Sequence, residues 1–538
     1  MANNNNKLVI IGLDSADRKL VRAWTEDGSL PTFKKLMESS AWGDSRNATG
    51  MVAGTVWPTF YTGVMPGRTG RFRGTTQFLS GTYDHGNIDF ERFSFAPFWD
   101  VLAENGKKCF VVDAPYSFLS SRPGVTQVLD WCTHSPWLDG TTSSNPSHLA
   151  AEIRDQYGRD PVGKCDFTVL DTPQDFAEFR DGLIKRIRQK TEMTLKTIAT
   201  ADADVFLNVY SECHCAGHQL WHTHDENHPG YDASLVEYLG GNAVKKVYQA
   251  IDGAIAELLA AVDDDTTVMV FCSHGIGPAY TGTNLLDEIL MRIERKPTPK
   301  RRQRLASKLV AIWRKMPQSV RTRLTPLQKK LWPKMKSRLV QPNKSKRKFF
   351  EIIINDASGG IRLNVAGREP DGIVDAGAEY DQLCEMLKNE LLQVVNPDTG
   401  KPLIKRVLKT RDLYPGEHVE HLPDLMVEWS REGPIAKAES PTIGTVTQKF
   451  VFANHRTGDH TEDDGLFFVQ KANVEPGYVG SYSVADMAPT ITAMFGYSFS
   501  DTDGTAIDAL LSRDRTVVIP RPDSHEDSHE GVAHPAVA

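Results

Sequence analysis

Two histidines stand four residues apart, directly after the apolar run Val205–Tyr210. Imidazole nitrogens are common zinc ligands, and a pair at this spacing can supply half of a four-coordinate site. His214 and His218 therefore predict half of a metal site, and a metallohydrolase if further ligands lie elsewhere in the chain. Without such ligands they are two histidines in a loop.

The two cysteines beside these histidines have two interpretations. Cys213 and Cys215 flank His214, and thiolates are soft ligands that zinc accepts. Small thiol side chains are also often buried as ordinary apolar residues. The sequence leaves both interpretations open.

Short apolar runs predict the strands that must position these residues. They are Lys7–Gly12, Cys109–Val112, Val205–Tyr210, Thr267–Cys272, Phe349–Ile354 and Asp424–Trp429. A helical pattern from Leu235 to Val262 separates the third run from the fourth, and this alternation predicts an α/β fold with a mostly parallel sheet. Ligands of such sheets bind beyond the carboxyl ends of the strands. Asp14, His214 and His274 each follow a predicted strand, which strengthens the metal interpretation.

Length and composition exclude several classes of protein. The chain has 538 residues and 40% hydrophobic content, which suffices for a large core. Apolar runs stay well below the roughly 20 residues that a membrane span needs. The polar start Met1–Lys7 runs straight into the first strand and lacks the pattern of a signal peptide. Seven cysteines without framework spacing predict reduced thiols and a cytoplasmic location.

A basic segment interrupts the chain. Between Arg295 and Lys348 there are 20 Lys/Arg and no Asp/Glu, although the whole chain has a net charge of −7. Several prolines break this segment, and its apolar residues share helical faces, which predicts basic amphipathic helices. Such helices suit a lid that gathers an anionic or lipid-linked substrate, a contact with a membrane surface, or a solvated face packed on the main domain. They fit a nucleic-acid patch less well. The predicted domains are 1–293 with 349–520, an inserted basic cap at 294–348, and a disordered tail at 521–538.

Five segments, taken in order, resemble the type I phosphodiesterase/nucleotide pyrophosphatase branch of the alkaline phosphatase superfamily. They contain Asp14, Thr55, the pair His214 and His218, His274, and His460. Later segments such as Gly367–Pro370 and Asp486–Thr490 resemble family blocks as well. The resemblance spans roughly Lys7 to Ser498 without the basic segment. It implies an alkaline-phosphatase-like three-layer αβα sandwich with a mostly parallel central sheet.

The resemblance also implies a two-metal mechanism. Divalent ions, usually zinc with manganese as the alternative, activate a Thr or Ser hydroxyl that attacks phosphorus. One ion would bind His214, His218 and His460, with His214 standing where the family has an Asp. The other would bind Asp14 and His274, but Ser273 replaces a family carboxylate there. This second site then binds its ion weakly, recruits Asp17 or Asp459, or stays empty, so one or two ions are expected.

The nucleophile has two candidate positions. Thr55 precedes a proline that fits the first turn of a helix, so Thr55 would be the N-cap of that helix. Aligning Trp57 and the pair Thr62-Gly63 with the family pattern instead puts Ala53 in the nucleophile position. A short gap restores Thr55 as the nucleophile; without the gap Thr55 only caps the helix.

Two further histidines are candidates for contacts with the substrate or with the metal ligands. His222 could contact substrate or cover the rim of the site, and His455 could bind phosphate. The predicted function is a metal-dependent hydrolase of phosphoric esters, of phosphodiesterase or nucleotide pyrophosphatase type, acting on a small-molecule or lipid-linked substrate. The alternatives are a phosphomonoesterase or phosphotransferase, a sulfatase, which is disfavoured because the C/S-x-P-x-R motif is missing, and a non-catalytic metal-binding member.

Overall fold

The computed structural model describes residues 7–511, apart from residues 75, 80, 84, 88–94, 134–141, 164, 166–167, 280–281, 296–343, 356, 432–434 and 449–455. Most of the basic segment, the predicted tail and His455 therefore lie outside the described residues. Within the described part, no helix is both long and apolar enough to cross a bilayer.

The chain alternates strands and helices through its first half. The strands are β1 (Leu8–Leu13), β2 (Ala41–Arg46), β3 (Thr76–Phe78), β4 (His85–Asn87), β5 (Cys109–Val112), β6 (Val125–Leu129), β7 (Ser143–Asn145), β8 (Val205–Tyr210), β9 (Thr267–Cys272), β10 (Ile276–Pro278), β11 (Phe349–Ile353), β12 (Ser358–Leu363), β13 (Ile404–Lys409), β14 (Leu425–Trp429), β15 (Lys437–Ser440), β16 (Gly444–Thr447), β17 (Gly458–His460), β18 (Gly465–Gln470) and β19 (Gly477–Ser483). The helices are α1 (Arg18–Glu26), α2 (Pro31–Ser39), α3 (Val52–Thr62), α4 (Pro66–Thr69), α5 (Phe98–Glu104), α6 (Leu149–Tyr157), α7 (Pro173–Thr200), α8 (Glu212–Leu220), α9 (Ala233–Tyr238), α10 (Ala243–Ala260), α11 (Leu286–Ile293), α12 (Ala378–Leu392), α13 (Thr410–Leu413) and α14 (Met487–Met494).

A large central sheet organises the fold. Its strand order is β19-β2-β18-β9-β1-β8-β5-β6-β7. Strand β1 is parallel to both of its neighbours, β8 and β9, while β18 and β7 are antiparallel to the strands they join. The predicted mixed α/β fold with a mostly parallel sheet is confirmed.

The side chains of β1 pack into two separate hydrophobic cores, one on each face of the sheet. Val9, Ile11 and Leu13 belong to the core formed with helices such as α7 and α10, whereas Leu8 and Ile10 belong to the core formed with α3, α5 and α14. Successive residues of a strand point to opposite faces of the sheet, so a strand that is apolar throughout must be covered on both sides. The result is a sheet between two helical layers.

Two predictions about individual elements are corrected. The run from Leu235 to Val262 is two helices, α9 and α10, because Gly240 and Gly241 have φ values of +67° and +115°, which end a right-handed helix. The predicted strands at Phe349 and Asp424 exist as β11 and β14. They belong to a separate four-stranded antiparallel sheet of order β11-β12-β14-β13 rather than to the central sheet.

The two ends of the basic segment are held together. The backbone N–H of Lys348 donates to the Glu294 carboxylate at 2.6 Å, and Arg347 forms an ion pair with Asp287 of α11 at 2.7 Å. Glu294 and Lys348 are therefore neighbours in space although they are 54 positions apart in the sequence.

Candidate metal centre

The predicted site residues meet at the carboxyl ends of three neighbouring strands. The N–H of Asp14 donates to Tyr210 at 2.8 Å, and the N–H of Ser273 donates to Leu13 at 3.0 Å. These bonds extend the β1–β8 and β1–β9 pairing one residue past the strands. Asp14, the start of α8 and Ser273 are thereby fixed at one edge of the sheet, as the α/β pattern predicted.

Helix α8 carries His214 and His218. The two residues lie in a helix rather than in a loop, and residues four apart on a helix share one face. Both side chains are buried, and their Nε2 atoms are 3.2 Å apart. The spacing that drew attention to this pair in the sequence thus reflects one helical turn.

A short two-stranded sheet, formed by strands far apart in the sequence, supplies His460. Strand β17 pairs antiparallel with β10, with His460 opposite Ile276. Because β10 begins two residues after His274, this pairing brings His460 back to the end of β9. The Nε2 atom of His460 lies 3.2 Å from that of His218. The predicted triad of His214, His218 and His460 is therefore assembled from segments that are distant in sequence.

The spacing of the three rings fits one metal ion. One ring nitrogen from each histidine lies within 4.8 Å of the others. Two nitrogens bound at about 2.0–2.1 Å to one tetrahedral zinc are about 3.3 Å apart, close to the two observed separations. Three histidines also leave the fourth position open for substrate or water.

A hydrogen bond fixes the orientation of the middle ring. Nδ1 of His218 is 2.7 Å from the carbonyl oxygen of Gly458, so Nδ1 carries the proton and donates. Nε2 of the neutral ring then presents its lone pair to the other two histidines, as a metal ligand requires. The three ring nitrogens thus lie close enough together to share one cation.

The second half of the site is arranged differently. Asp14 Oδ1 accepts hydrogen bonds from the Trp57 indole at 2.8 Å and from the Ser273 hydroxyl at 3.1 Å, and lies 3.8 Å from His274 Nε2. The Ser15 hydroxyl lies 3.2 Å from His274 Nδ1. Within the described residues, Asp14 and His274 belong to no group of three metal-ligating side chains as tight as the histidine triad.

Asp17, one of the two substitutes considered for the missing carboxylate, is held by backbone groups in this structure. Asp17 is the N-cap of α1, where its carboxylate accepts from the N–H groups of Lys19 and Leu20. Its other oxygen accepts from Ile276 N at 3.2 Å, and burial raises the pKa of this carboxyl. These backbone bonds commit Asp17 to holding α1 and β10 in place.

The prediction that Thr55 caps a helix is wrong. Helix α3 begins at Val52 after the N-cap Met51, and Pro58 lies inside the helix rather than in its first turn. The buried Thr55 hydroxyl donates to the Met51 carbonyl at 2.7 Å. Ala53 is the second residue of α3, so the alternative alignment places Ala53 at the helix start.

The structure places one of the two histidines that were predicted as substrate or supporting contacts. His222 lies in the turn after α8, where its Nδ1 is 3.1 Å from the Thr457 hydroxyl, and burial lowers its pKa to about 4. It lies outside the histidine triad and supports the segment that leads to β17. His455 lies outside the described residues.

Sequence reasoning missed three residues around Asp14 and Ser273. These are Ser15, whose φ is +52°, Trp57, and Asn47, whose amide donates to the Ser273 carbonyl at 3.1 Å. Ser15 directly follows a candidate ligand, which was an available signal. The roles of Trp57 and Asn47 depend on tertiary packing and have no signature in their spacing.

A cavity of about 540 Å³ is bordered by residues that follow His460 in the sequence, Thr461 to Asp464. Residues next to His460 line one side, while Lys405, Arg406 and Arg431 line the side formed by the small antiparallel sheet. Lys405 and Arg406 both pair with Glu428, which offsets part of their charge. The lining carries both signs of charge, since five carboxylates border the cavity as well: Asp17, Glu428, Glu462, Asp463 and Asp464.

Residues 8–460 match the family model "Type I phosphodiesterase / nucleotide pyrophosphatase". The chain belongs to this family. By its description the family comprises phosphodiesterases and nucleotide pyrophosphatases, which hydrolyse phosphoric esters and anhydrides. The histidine triad therefore lies in a phosphoester-hydrolase fold.

Solved structures share the architecture of this phosphodiesterase-family chain. Phosphonoacetate hydrolase from Sinorhizobium meliloti, in complex with phosphonoacetate, is 12% identical with a TM-score of 0.50, over 90% of this chain and 94% of that chain. This likeness shows the fold. An inactive form of murine ectonucleotide pyrophosphatase/phosphodiesterase 5, in complex with AMP, is 10% identical with a TM-score of 0.48, over 94% of this chain and 100% of that chain. No curated protein matches.

Proposed function

We propose that this chain is a metal-dependent hydrolase of phosphoric esters, of phosphodiesterase or pyrophosphatase type. The observation that carries the proposal is the convergence of His214, His218 and His460 with Nε2 separations of 3.2 Å. Membership of the phosphodiesterase family supports the reaction class. The three residues would hold zinc, with manganese as the alternative.

The residues of the site have distinct tasks in this proposal. A bound divalent ion would polarise a phosphoryl oxygen and favour the ionised form of an attacking hydroxyl. Gly458 keeps the proton of His218 on Nδ1 and so keeps Nε2 available. Lys405, Arg406 and Arg431 would meet the negative charge of an ester in the cavity, where Glu428 and four further carboxylates limit their effect. Asp14 and His274 would hold a second ion more weakly, because Ser273 contributes no charge.

Thr55 is the proposed nucleophile. Its hydroxyl must leave the Met51 carbonyl to reach a substrate, at a cost of about 1 kcal/mol for one neutral hydrogen bond. That same bond, together with Ala53 at the start of α3, favours the second candidate, a metal-binding member without hydrolase activity.

Metal content and turnover of an aryl phosphodiester, measured on the same preparations, test the proposal. The wild-type chain should contain zinc or manganese and hydrolyse the diester, and His218→Ala should lose both. His418→Ala, which changes a half-exposed histidine of another segment, is the matched control and should keep both. Full activity of His218→Ala would rule out the triad as the active centre.

Thr55→Ala and Thr55→Ser separate the two candidates. If Thr55 is the nucleophile, the alanine variant should lose at least about 100-fold in kcat and the serine variant should keep part of it. A wild-type chain that holds metal but hydrolyses no phosphodiester, pyrophosphate, monoester or sulfate ester would support the non-catalytic candidate.

The substrate class and cellular location are further parts of the proposal. The 20 cations between Arg295 and Lys348 support an anionic small-molecule or lipid-linked ester and a contact with a membrane surface. A cytoplasmic location is supported by the seven cysteines, all of which are buried and outside any disulfide.

A further inference from the structure

A second group of metal-ligating side chains lies behind the histidine triad. The sulfur atoms of Cys165 and Cys215 and one ring nitrogen of His214 all lie within 4.8 Å of one another. All three side chains are buried. Cys215 directly follows His214 in α8, whereas Cys165 comes from the segment before α7.

A side chain of α8 holds Cys165 in this position. The Gln219 amide donates to the Cys165 carbonyl at 2.8 Å. Gln219 lies four residues after Cys215, so the two side chains share one face of the helix. The hydrogen bond from Gln219 therefore helps to hold Cys165 close to Cys215.

A buried cation lies beside one of the sulfur atoms. The Arg186 guanidinium of α7 donates to Cys215 Sγ at 3.7 Å and to the Ser211 hydroxyl at 3.3 Å. It also forms an ion pair with Asp160 at 3.0 Å. Arg186 also lies 3.7 Å from the buried Glu212 carboxylate, so its charge is shared between two acids next to the sulfur.

We propose that Cys165, Cys215 and His214 form a binding site for a soft divalent ion of the zinc type. Two thiolates and an imidazole are ligands that zinc prefers, and they leave one position open. A divalent ion with two thiolates and a neutral imidazole carries no net charge, which suits a fully buried place. Binding releases the two thiol protons to solvent.

Sharing of His214 links this thiolate site to the triad. Nε2 of His214 is 3.2 Å from His218 Nε2, and the other ring nitrogen remains. Because a neutral ring has a single nitrogen lone pair, filling both sites at once would also release the ring proton of His214. The thiolate site needs neither His218 nor His460, so it does not rest on the proposed hydrolase activity. Loss of either histidine should leave it intact.

Cobalt titration of the full chain, stripped of metal under reducing conditions, tests the proposal. Co²⁺ should produce a thiolate-to-cobalt charge-transfer band in the near ultraviolet. Cys165→Ser, Cys215→Ser and His214→Ala should each lose most of this band. Cys213→Ser, in the same helix but outside the group, and Cys384→Ser, in another core, should keep it. A band that survives Cys165→Ser would overturn the proposal, as would its absence from the wild type.

X-ray absorption of the zinc-loaded wild-type chain gives a test that needs no variant. Sulfur neighbours at about 2.3 Å are expected, and a shell containing only nitrogen and oxygen at about 2.0–2.1 Å would contradict the site. His218→Ala distinguishes this proposal from the hydrolase proposal: it should abolish ester hydrolysis yet keep the cobalt band. Ester hydrolysis by a wild-type chain that shows no thiolate band would support the hydrolase proposal and contradict the thiolate site.

Discussion

Nδ1 of His218 lies 2.7 Å from the carbonyl oxygen of Gly458, two residues before the third histidine of the triad. The strand that supplies His460 thus also supplies the acceptor that orients His218. A shift of β17 would disturb two ligands together, because His460 and the Gly458 carbonyl move as one unit.

Gly458→Ala should therefore weaken metal binding as well as stability. A Cβ at this position would be 2.2 Å from the Gly217 carbonyl oxygen and 2.9 Å from that of Gly277, so β17 must move. We expect a loss of about 2–4 kcal/mol in unfolding free energy and at least a tenfold loss in zinc affinity. Gly253→Ala, where a Cβ meets nothing within 4 Å in α10, should stabilise the chain slightly. Urea unfolding and competition with a zinc chelator measure both effects.

The bond between Trp57 and Asp14 should contribute measurably to stability. Trp57→Phe removes the indole N–H that donates to the carboxylate at 2.8 Å. Trp99→Phe is matched in size and burial, and the Trp99 N–H has no hydrogen-bond partner among the described residues. Thermal unfolding should show Trp57→Phe to be less stable than Trp99→Phe by about 1.5–3 kcal/mol. Equal losses would mean that this bond contributes nothing.

Restoring a carboxylate at residue 273 should create a stronger second metal site. In Ser273→Asp, the new charge would lie close to Asp14, whose Oδ1 is 3.1 Å from the present hydroxyl. Repulsion between buried carboxylates should lower the melting temperature of the metal-free variant, and added zinc should restore it. Zinc per chain, determined by mass spectrometry under native conditions, should rise by one ion. Ser273→Asn has the same size without the charge, and a similar gain there would contradict the argument.

His222 should make the metal-free chain sensitive to acid. Burial, with a smaller contribution from the charge of His228, lowers its folded-state pKa to about 4, whereas an unfolded histidine titrates near pH 6.5. Between these values the unfolded chain binds more protons, so the unfolding free energy falls as the pH falls. Urea unfolding with chelator present measures this effect. When the pH falls from 6.5 to 4.5, the unfolding free energy of His222→Gln should drop by about 2 kcal/mol less than that of the wild type. Phe176→Leu, which alters the ring packed against His222, should keep the wild-type pH dependence.

The basic insertion should be separable from the catalytic domain. Its flanks are joined by the Lys348–Glu294 and Arg347–Asp287 contacts, so a short Gly-Ser linker in place of residues 296–343 should leave the fold intact. We expect unchanged hydrolysis of a small aryl diester and reduced sedimentation with anionic lipid vesicles. If the shortened chain still sediments fully with the vesicles, the insertion is not the membrane contact.

The sequence predicted the strands of the central sheet well. The bounds of β5, β8 and β9 agree with the predicted runs, because a doubly covered strand is continuously apolar and ends where polar residues begin. The same pattern could not assign β11 and β14 to a second sheet, since an apolar run does not specify its partner strand. The pair Gly240-Gly241 is a sequence signal for the break between α9 and α10, although the helical periodicity continues across it.

The sequence predicted which three histidines come together, but not the groups that hold them in place. Helical spacing placed His214 and His218 together, and the family resemblance added His460 across 242 residues. A proline in the first turn would make Thr55 the N-cap, but α3 begins six residues before Pro58 and includes Thr55. The Gly458 carbonyl acts through the backbone, which sequence patterns do not reveal.

The distance along the chain between the triad's members has a thermodynamic consequence. His214 and His218 are one helical turn apart, so an unfolded chain can still chelate an ion weakly through this pair, but it cannot add His460 without closing a loop of more than two hundred residues. The native chain therefore outcompetes the denatured chain for metal mainly through its last ligand. Above the native dissociation constant, each tenfold increase in free ion should add up to about 1.4 kcal/mol of stability until the denatured chain begins to bind.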